Sequence, residues 1–184
     1  MANNNVENIS TGKPQVTGAA FVAPLGSVLP NDAVTQLAPE FVNVGYCAES
    51  GLTNSISNET NDVKAWGGDT VLTIQTGRSE TYALSLLEMN QTALKQVFGE
   101  GNVTVSSDSI VVIGNNAVRE RYVWVFEILL SAGRIMRIVI PSGKVTEVGD
   151  ISFVDGEPIK FDLTIAALPD AIGNTSYRYI AKVE

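Results

Sequence analysis

The sequence predicts a mainly β fold, a two-sheet β-sandwich or partly closed barrel with one short flanking α-helix. Three observations predict it. Apolar and polar side chains alternate with period two in Leu52–Glu59 and again in Thr81–Leu86, the pattern of strands buried on one face. Tyr122–Leu130 (YVWVFEILL) is apolar on both faces apart from Glu127, as befits a strand in the middle of a sandwich or between sheet and helix. Helical spacing occurs in one place, MNQTALKQVFGEG.

In chain order, the Asn-rich, aperiodic start predicts a flexible N-terminal arm over 1–16. Residues 17–168 are read as the β domain, and 169–184 as a C-terminal segment with a loop (DAIGNTS) and a final strand, Tyr177–Val183. Gly18–Pro24 is a candidate first strand. The loop Leu25–Glu40 follows, with Pro24, Pro30 and Pro39 spaced along it, each interrupting ladder pairing or a helix. A loop of that length needs an outside surface to lie on.

Phe41–Ala48 leads into a long hairpin, Leu52–Glu59 with Thr70–Leu87, around a polar insert, Asn58–Asp69. In the first strand Leu52, Asn54 and Ile56 oppose Thr53, Ser55, Ser57 and Glu59. In the second, Tyr82, Leu84 and Leu86 alternate with Thr81, Ala83 and Ser85. The insert carries Trp66 and the turn pair Gly67-Gly68. A hairpin tip too long for a tight turn and bearing a large aromatic reaches outside its own domain. The expected target is a second copy of the chain, with Trp66 either folded back on its own hairpin or, as the polar loop around it favours, an interface anchor.

Asn90 is placed to cap a helix of about 90–99, with Leu94, Val97 and Phe98 on one face and Gly99 as an αL C-cap. Beyond it Val103–Val105, Ile110–Ile113, Tyr122–Leu130 and Arg134–Ile140 read as strands, with turns at Ser131–Gly133 and Pro141–Gly143. The last hairpin is Lys144–Val154 with Pro158–Leu168. A two-residue turn at Asp155-Gly156 would mix its faces. An odd loop with a bulge at Gly156 pairs Phe153 with Ile159 and Ile151 with Phe161, and sets Asp150 opposite Asp162 on the polar face.

Composition excludes much chemistry. The 184 residues suit one domain, with 20 acidic against 12 basic side chains and a net charge of −8, which disfavours wrapping nucleic acid. There is no histidine, so Ser-His-Asp and Cys-His catalysis and His-ligated zinc are ruled out. The single cysteine, Cys47, reads as an inert, half-buried thiol. No secretory signal and no bilayer-length apolar run are visible, so the expectation is a soluble protein made in a cytoplasm. The Asn-X-Ser/Thr triplets at Asn8, Asn58, Asn90, Asn102 and Asn174 are then chance occurrences.

Candidate motifs fail on spacing. Thr11-Gly12-Lys13 lacks the first glycine and the final hydroxyl of a phosphate loop. Gly99–Asn102 follows a helix where a dinucleotide site would precede one. Asp150 and Asp162 resemble a glycosidase carboxylate pair but have no aromatic sugar platform. Asn58, Glu59, Asn61 and Asp62 lack the closing glutamate of a calcium loop. Arg119-Glu120-Arg121 reads as a solvated segment or an intersubunit ion pair. No catalysis, cofactor or metal is expected.

The phrases STGKPQVTGAAFVAPLGSVLPNDA, GLTNS, VKAWGGD, ETYALSLLE and TALKQVFG resemble the major tail proteins, or tail tube proteins, of long-tailed, non-contractile bacteriophages. The resemblance covers about Thr11 to Ala167 and rests on overall pattern. It implies hexameric rings stacked into a tube, with one sheet of each subunit joined to its neighbours in a continuous inner barrel. Gly51–Glu59, Thr70–Leu87, Lys144–Val154 and Pro158–Leu168 would be the inner strands. The inter-ring stacking loop would include Asn58, Asp62, Lys64, Trp66 and Asp69. Thr53, Ser55, Ser57, Glu59, Asp150, Ser152, Asp162 and Thr164 would face an acidic lumen, from which Lys160 departs. The resemblance further implies a tape-measure protein, a tail terminator and distal tail proteins as partners, DNA passing through without specific binding, no membrane, and a virion tail location after assembly in the host cytoplasm. The alternative is a non-catalytic β-sandwich binding module of a virion, for a receptor or a carbohydrate.

Overall fold

The computed structural model describes residues 4–6, 9–15 and 18–182. Among the described residues, eleven strands and one α-helix follow in order: β1 (Gly12–Pro14), β2 (Ala20–Pro24), β3 (Val42–Asn43), β4 (Thr53–Lys64), β5 (Thr70–Leu86), α1 (Gln91–Phe98), β6 (Val103–Val105), β7 (Ile110–Val112), β8 (Arg121–Leu130), β9 (Arg134–Val148), β10 (Phe161–Ala167) and β11 (Tyr177–Lys182). Within the expected arm, β1 is a strand paired with the far end of β8, Gly12 opposite Leu130. The expected residues 1–3, 7–8, 16–17 and 183–184 lie outside the described set.

One nine-stranded sheet runs β3-β2-β8-β9-β10-β5-β4, with β1 on β8 and β11 on β9, and β6-β7 form a separate pair. The sheet curls on itself. Tyr82 of β5 stacks on Phe126 of β8 with ring centroids 5.9 Å apart, although β9 and β10 stand between these strands in the sheet. Laid flat, three strand spacings would separate them by roughly 14 Å. The segment after β3 spans the gap: Val44 N–H donates to Ala20 at 3.1 Å, Ala48 N–H to Ser85 at 2.8 Å and Leu87 N–H to Tyr46 at 2.9 Å, and Cys47 bridges Leu86. The curled sheet is therefore a partly closed barrel with Tyr82, Leu86, Trp124, Ile140, Leu163 and Ile165 fully buried inside.

Helix α1 closes the base of the barrel. The Asn90 side chain accepts from Ala93 N–H at 2.8 Å, and Leu94 and Val97 are buried in the barrel core. Gly99 has a positive φ of 101° but an extended ψ of 148°, so it ends the helix without the αL geometry expected. The Leu25–Glu40 loop covers the other face of β8 and β9. Leu29, Leu37 and Phe41 pack there against Val123, Val125 and Val139. Glu127, the polar break in the apolar strand, lies opposite Arg137 and accepts its Nε–H at 2.9 Å. Arg137 also donates to the Asp32 carbonyl at 2.9 Å and so ties the loop down.

Several boundaries differ from the sequence reading. Asn58–Lys64 is strand, and β4 and β5 form a ribbon turned by Ala65–Asp69 alone. The polar composition of the insert concealed a strand because a ribbon exposed on both faces has no alternation to detect. Pro141-Ser142-Gly143 is no turn: β9 runs through it, and a register shift opposite Tyr122 and Trp124 absorbs the proline in a bulge, where its missing N–H costs no ladder bond. The last hairpin is also different. Residues 149–160 have no strand, Leu163 lies opposite Val148, and the shift between Thr164 and Ile165 puts the bulge at Thr146 instead of Gly156. That bulge lets Val145 and Val148, three positions apart, both pack on the core, which removes the need for the longer register.

Gly143 is where the bend of β9 meets the core. A Cβ there would lie 2.5 Å from Trp124 Cδ1 and 3.1 Å from Ile165 Cγ2. Replacing Gly143 with alanine should destabilise the fold by about 2 kcal/mol through overpacking, read as a lowered midpoint in urea unfolding, while Gly114→Ala, whose Cβ would meet nothing within 4 Å, should leave the midpoint unchanged.

Candidate assembly surfaces and family

Strands β9, β10, β5 and β4 are consecutive neighbours in the sheet, and their two faces differ. Residues directly opposite across antiparallel strands share a face. Asp162 lies opposite Ser85, and Thr164 opposite Ala83. Thr53 is also opposite Ala83, with Ser55 opposite Thr81, Ser57 opposite Ser79 and Glu59 opposite Gly77. Thr53, Ser55, Ser57, Glu59, Asp162 and Thr164 therefore stand in rows on one face, with Leu84, Leu86, Phe161, Leu163 and Ile165 buried behind it. Small hydroxyl side chains and carboxylates dominate that face, and Ser85 Oγ donates to Asp162.

Asp150 and Ser152 stand off those rows, because they lie in the coil between β9 and β10. Asp162 faces Gly149 across the ladder, with Gly149 N–H donating to its carbonyl at 2.8 Å, so the expected Asp150–Asp162 opposition is absent. Lys160 is likewise on the coil. Lys144, opposite Ala166, and Glu147, opposite Thr164, share the polar face, and Arg121 of β8 stands directly opposite Lys144. Periodicity counted back from Asp150 misses Glu147, because the bulge at Thr146 resets the alternation of β9.

The ribbon beyond residue 58 is exposed throughout, and Trp66 is 106 % exposed. A second shift, after Glu59, lets Asn61 pair with Ile74 and Val63 with Leu72. The row that is polar near the barrel thereby turns apolar near the tip, with Val63, Leu72 and Ile74 all exposed. Asn58 and Asp62 point to the other row and are spent locally: Asn58 accepts from Gln75 at 3.4 Å and Asp62 from Thr73 at 2.6 Å. Lys64 ends β4, and Asp69 receives Ala65 N–H at its carbonyl at 2.8 Å to close the turn.

The root of the ribbon is held by a group that the sequence reading passed over. Glu80 continues the inward row of Tyr82, Leu84 and Leu86, and its side chain is fully buried. It accepts hydrogen bonds from Tyr82 Oη at 2.7 Å, Thr175 Oγ1 at 2.5 Å, Ser176 Oγ at 3.0 Å and Asn54 Nδ2 at 3.2 Å. Arg178 at 2.9 Å and Arg78 at 3.1 Å complete the set. Burial alone would raise its pKa, but the hydrogen bonds from Thr175, Tyr82, Ser176 and Arg78 outweigh burial and hold it down to about 2. A carboxylate at a core-facing position of an alternating strand was the signal available. Elsewhere, burial first and the nearby Glu88 second push the Cys47 thiol up to about 11, which keeps it protonated. Among the described residues, no cluster of metal-ligating side chains occurs, and no helix is long and apolar enough to cross a membrane.

A family model for phage tail tube proteins matches residues 1–183. The chain belongs to that family. It is a structural component of the tail tube of phage-like particles and not an enzyme. No curated protein matches it. Among solved structures, it is similar to the tail of an empty gene transfer agent particle of C6 symmetry, with a TM-score of 0.43, 14% identity, and 90% of this chain and 95% of that chain covered. It is also similar to the tube-terminating cap of an anti-feeding prophage, with a TM-score of 0.46, 13% identity, and 95% and 96% covered. A third is the sheath–tube complex of an extracellular contractile injection system in its extended state, with a TM-score of 0.41, 12% identity, and 93% of each chain covered. The family assignment stands on the sequence match alone.

Glu80 gives a test of the ribbon's anchorage. A carboxyl whose pKa is depressed from 4.5 to about 2 adds stability that is present above pH 4.5 and disappears as pH falls toward 2. Glu80→Gln should remove this part of the acid sensitivity between those values, read from unfolding midpoints across the range. Glu80→Ala, which leaves Arg178 and Arg78 without their buried partner, should cost about 3 kcal/mol at pH 7.

Proposed function

We propose that this tail tube protein polymerises as hexameric rings that stack into a tube, and that the polar face of β9, β10, β5 and β4 lines a bore through which DNA is ejected. One observation carries the reading. Among the described residues, the outer half of the β4–β5 ribbon leaves Val63, Trp66, Leu72 and Ile74 exposed. A two-stranded ribbon in water is marginal without an apolar face to bury, and exposed apolar surface of this kind marks an interaction site. A second copy of the chain supplies the cover.

In this reading Thr53, Ser55, Ser57, Glu59, Asp162 and Thr164 look into the bore, and Asn58, Asp62, Lys64, Trp66 and Asp69 belong to the ring-stacking arm. Carboxylates and hydroxyls repel the phosphate backbone and release it over most of this face, the opposed cations Lys144 and Arg121 lying at its β9–β8 margin. Lateral closure of the sheet edges into a multichain barrel satisfies the free backbone groups of β4. The tape-measure protein, the tail terminator and distal tail proteins are the proposed partners at the tube's interior and ends. Assembly takes place in the host cytoplasm, after which the protein resides in the virion tail.

Negative-stain microscopy of the purified protein tests this directly: rings or tubes support it, and compact particles at every concentration overturn it. The double variant Trp66→Ala, Lys64→Ala should keep the circular dichroism spectrum and melting temperature of the parent and form few or no tubes. An unchanged tube yield would remove the arm from the interface.

A further inference from the structure

The chain has a second exposed apolar surface, and it lies at the end opposite the ribbon tip. Helix α1, the β6–β7 hairpin and the 149–160 coil enclose a groove of about 230 Å³ whose lining is apolar throughout, including Met89, Phe98, Ile110, Ile151, Phe153 and Phe161. Its rim is open to solvent: Phe153 is 75% exposed and Met89 53%. We propose that this groove is the acceptor for the ribbon tip of the next copy, with Trp66 and the Val63, Leu72, Ile74 row seated against Phe153, Met89 and Ile110. The proposal rests on the stacking reading above and names the surface that receives the arm.

Position argues for a second copy as occupant. Met89 follows the C-terminal end of β5 and Phe161 pairs with Leu86 at that end, whereas the tip precedes Thr70. Groove and tip are thus separated by the 17 residues of β5, on the order of 50 Å in an extended strand. A ribbon cannot fold back to reach its own groove. A donor and an acceptor at opposite ends of one rod form a head-to-tail contact, and such a contact repeats into an open filament along the strand direction instead of closing into a dimer.

Chemistry points the same way. Both surfaces are apolar and shaped for burial, a protruding aromatic on one and a groove floored by aromatic and aliphatic side chains on the other. The larger cleft near Lys13, Cys47 and Leu52 is the competing acceptor: apolar side chains such as Leu84 and Phe126 line it, but Glu49, Glu88 and Glu127 stand among them, whereas the lining of the groove is apolar throughout.

Cysteine pairing decides between the two sites. In a Cys47→Ser background, Ala65→Cys beside Trp66 is combined with Met89→Cys at the groove rim, and in a parallel protein with Lys13→Cys at the larger cleft. Both proteins are polymerised, oxidised and run without reductant. A ladder of linked dimers, trimers and higher species from the Ala65/Met89 pair, at least tenfold stronger than from the Ala65/Lys13 pair, is the expected result. Tubes of normal appearance with no Ala65/Met89 ladder, or with the ladder only in the Lys13 protein, overturn the groove while leaving stacking intact. Absence of polymers from the parent protein itself overturns the stacking reading and the groove with it. As a second measurement, Phe153→Ser should reduce tube yield at least tenfold with an unchanged melting temperature, and an unchanged yield counts against the groove.

Discussion

Burial along β5 stops at Glu80, and the molecule divides at that point. From Leu86 back to Tyr82 the inward row stacks on β8 and fills the barrel. From Ser79 to Thr70 the same strand pairs with β4 and is exposed apart from the half-buried Gly77, with only Arg78 at its root reaching back to Thr175 and Glu80. A hydrophobic core cannot simply end on a strand, since the last inward position meets water on one side and apolar groups on the other. Glu80 resolves this with a carboxylate held by donors from β4, β5 and the C-terminal segment, which caps the core and fastens the ribbon root in one network. The C-terminal residues Thr175, Ser176 and Arg178 therefore do structural work at a distance of nearly a hundred residues in sequence.

The same division explains why the exposed ribbon is tolerable. Its base is clamped, so the backbone ladder from Thr53 to Lys64 is propagated from an ordered root instead of being nucleated in water. Its apolar side chains sit on one row near the tip because a bulge after Glu59 exchanges the faces of β5. Bulges recur as the device that re-aims side chains here: one at Thr146 turns both Val145 and Val148 inward, and one at Pro141-Ser142 lets β9 bend past Trp124 against the bare backbone of Gly143. Each adds a residue, resets the parity of a strand and changes which residues share a surface. The polar face proposed for the bore and the apolar face proposed for stacking are continuous in the sheet and distinct in chemistry for that reason.

Much was legible in the sequence. Period-two alternation marked β4, β5 and β10, the doubly apolar run marked β8, and Asn90 with Leu94 and Val97 marked α1, because these signals depend only on neighbours a few residues apart. The absence of histidine and the scatter of acidic residues removed whole classes of chemistry by composition. The resemblance in GLTNS, VKAWGGD and ETYALSLLE pointed to the tail tube family that the family match then established.

Other features were decided by the fold alone. Whether Pro141-Ser142-Gly143 is a turn or a bulge depends on a partner strand twenty residues away, and the local residues are the same in either case. The register of β10 depends on how Val145 and Val148 both reach a core built mostly by other strands, so the pairing of Asp150 with Asp162 did not survive. Glu80 became a buried anchor only because Arg178, Thr175 and Ser176 are brought to it across the sheet. Alternation and capping are properties of short chain segments, and those the sequence determined by itself; register, bulge position and the partnering of buried charge are properties of surfaces that meet, and they exist only once the sheet has curled.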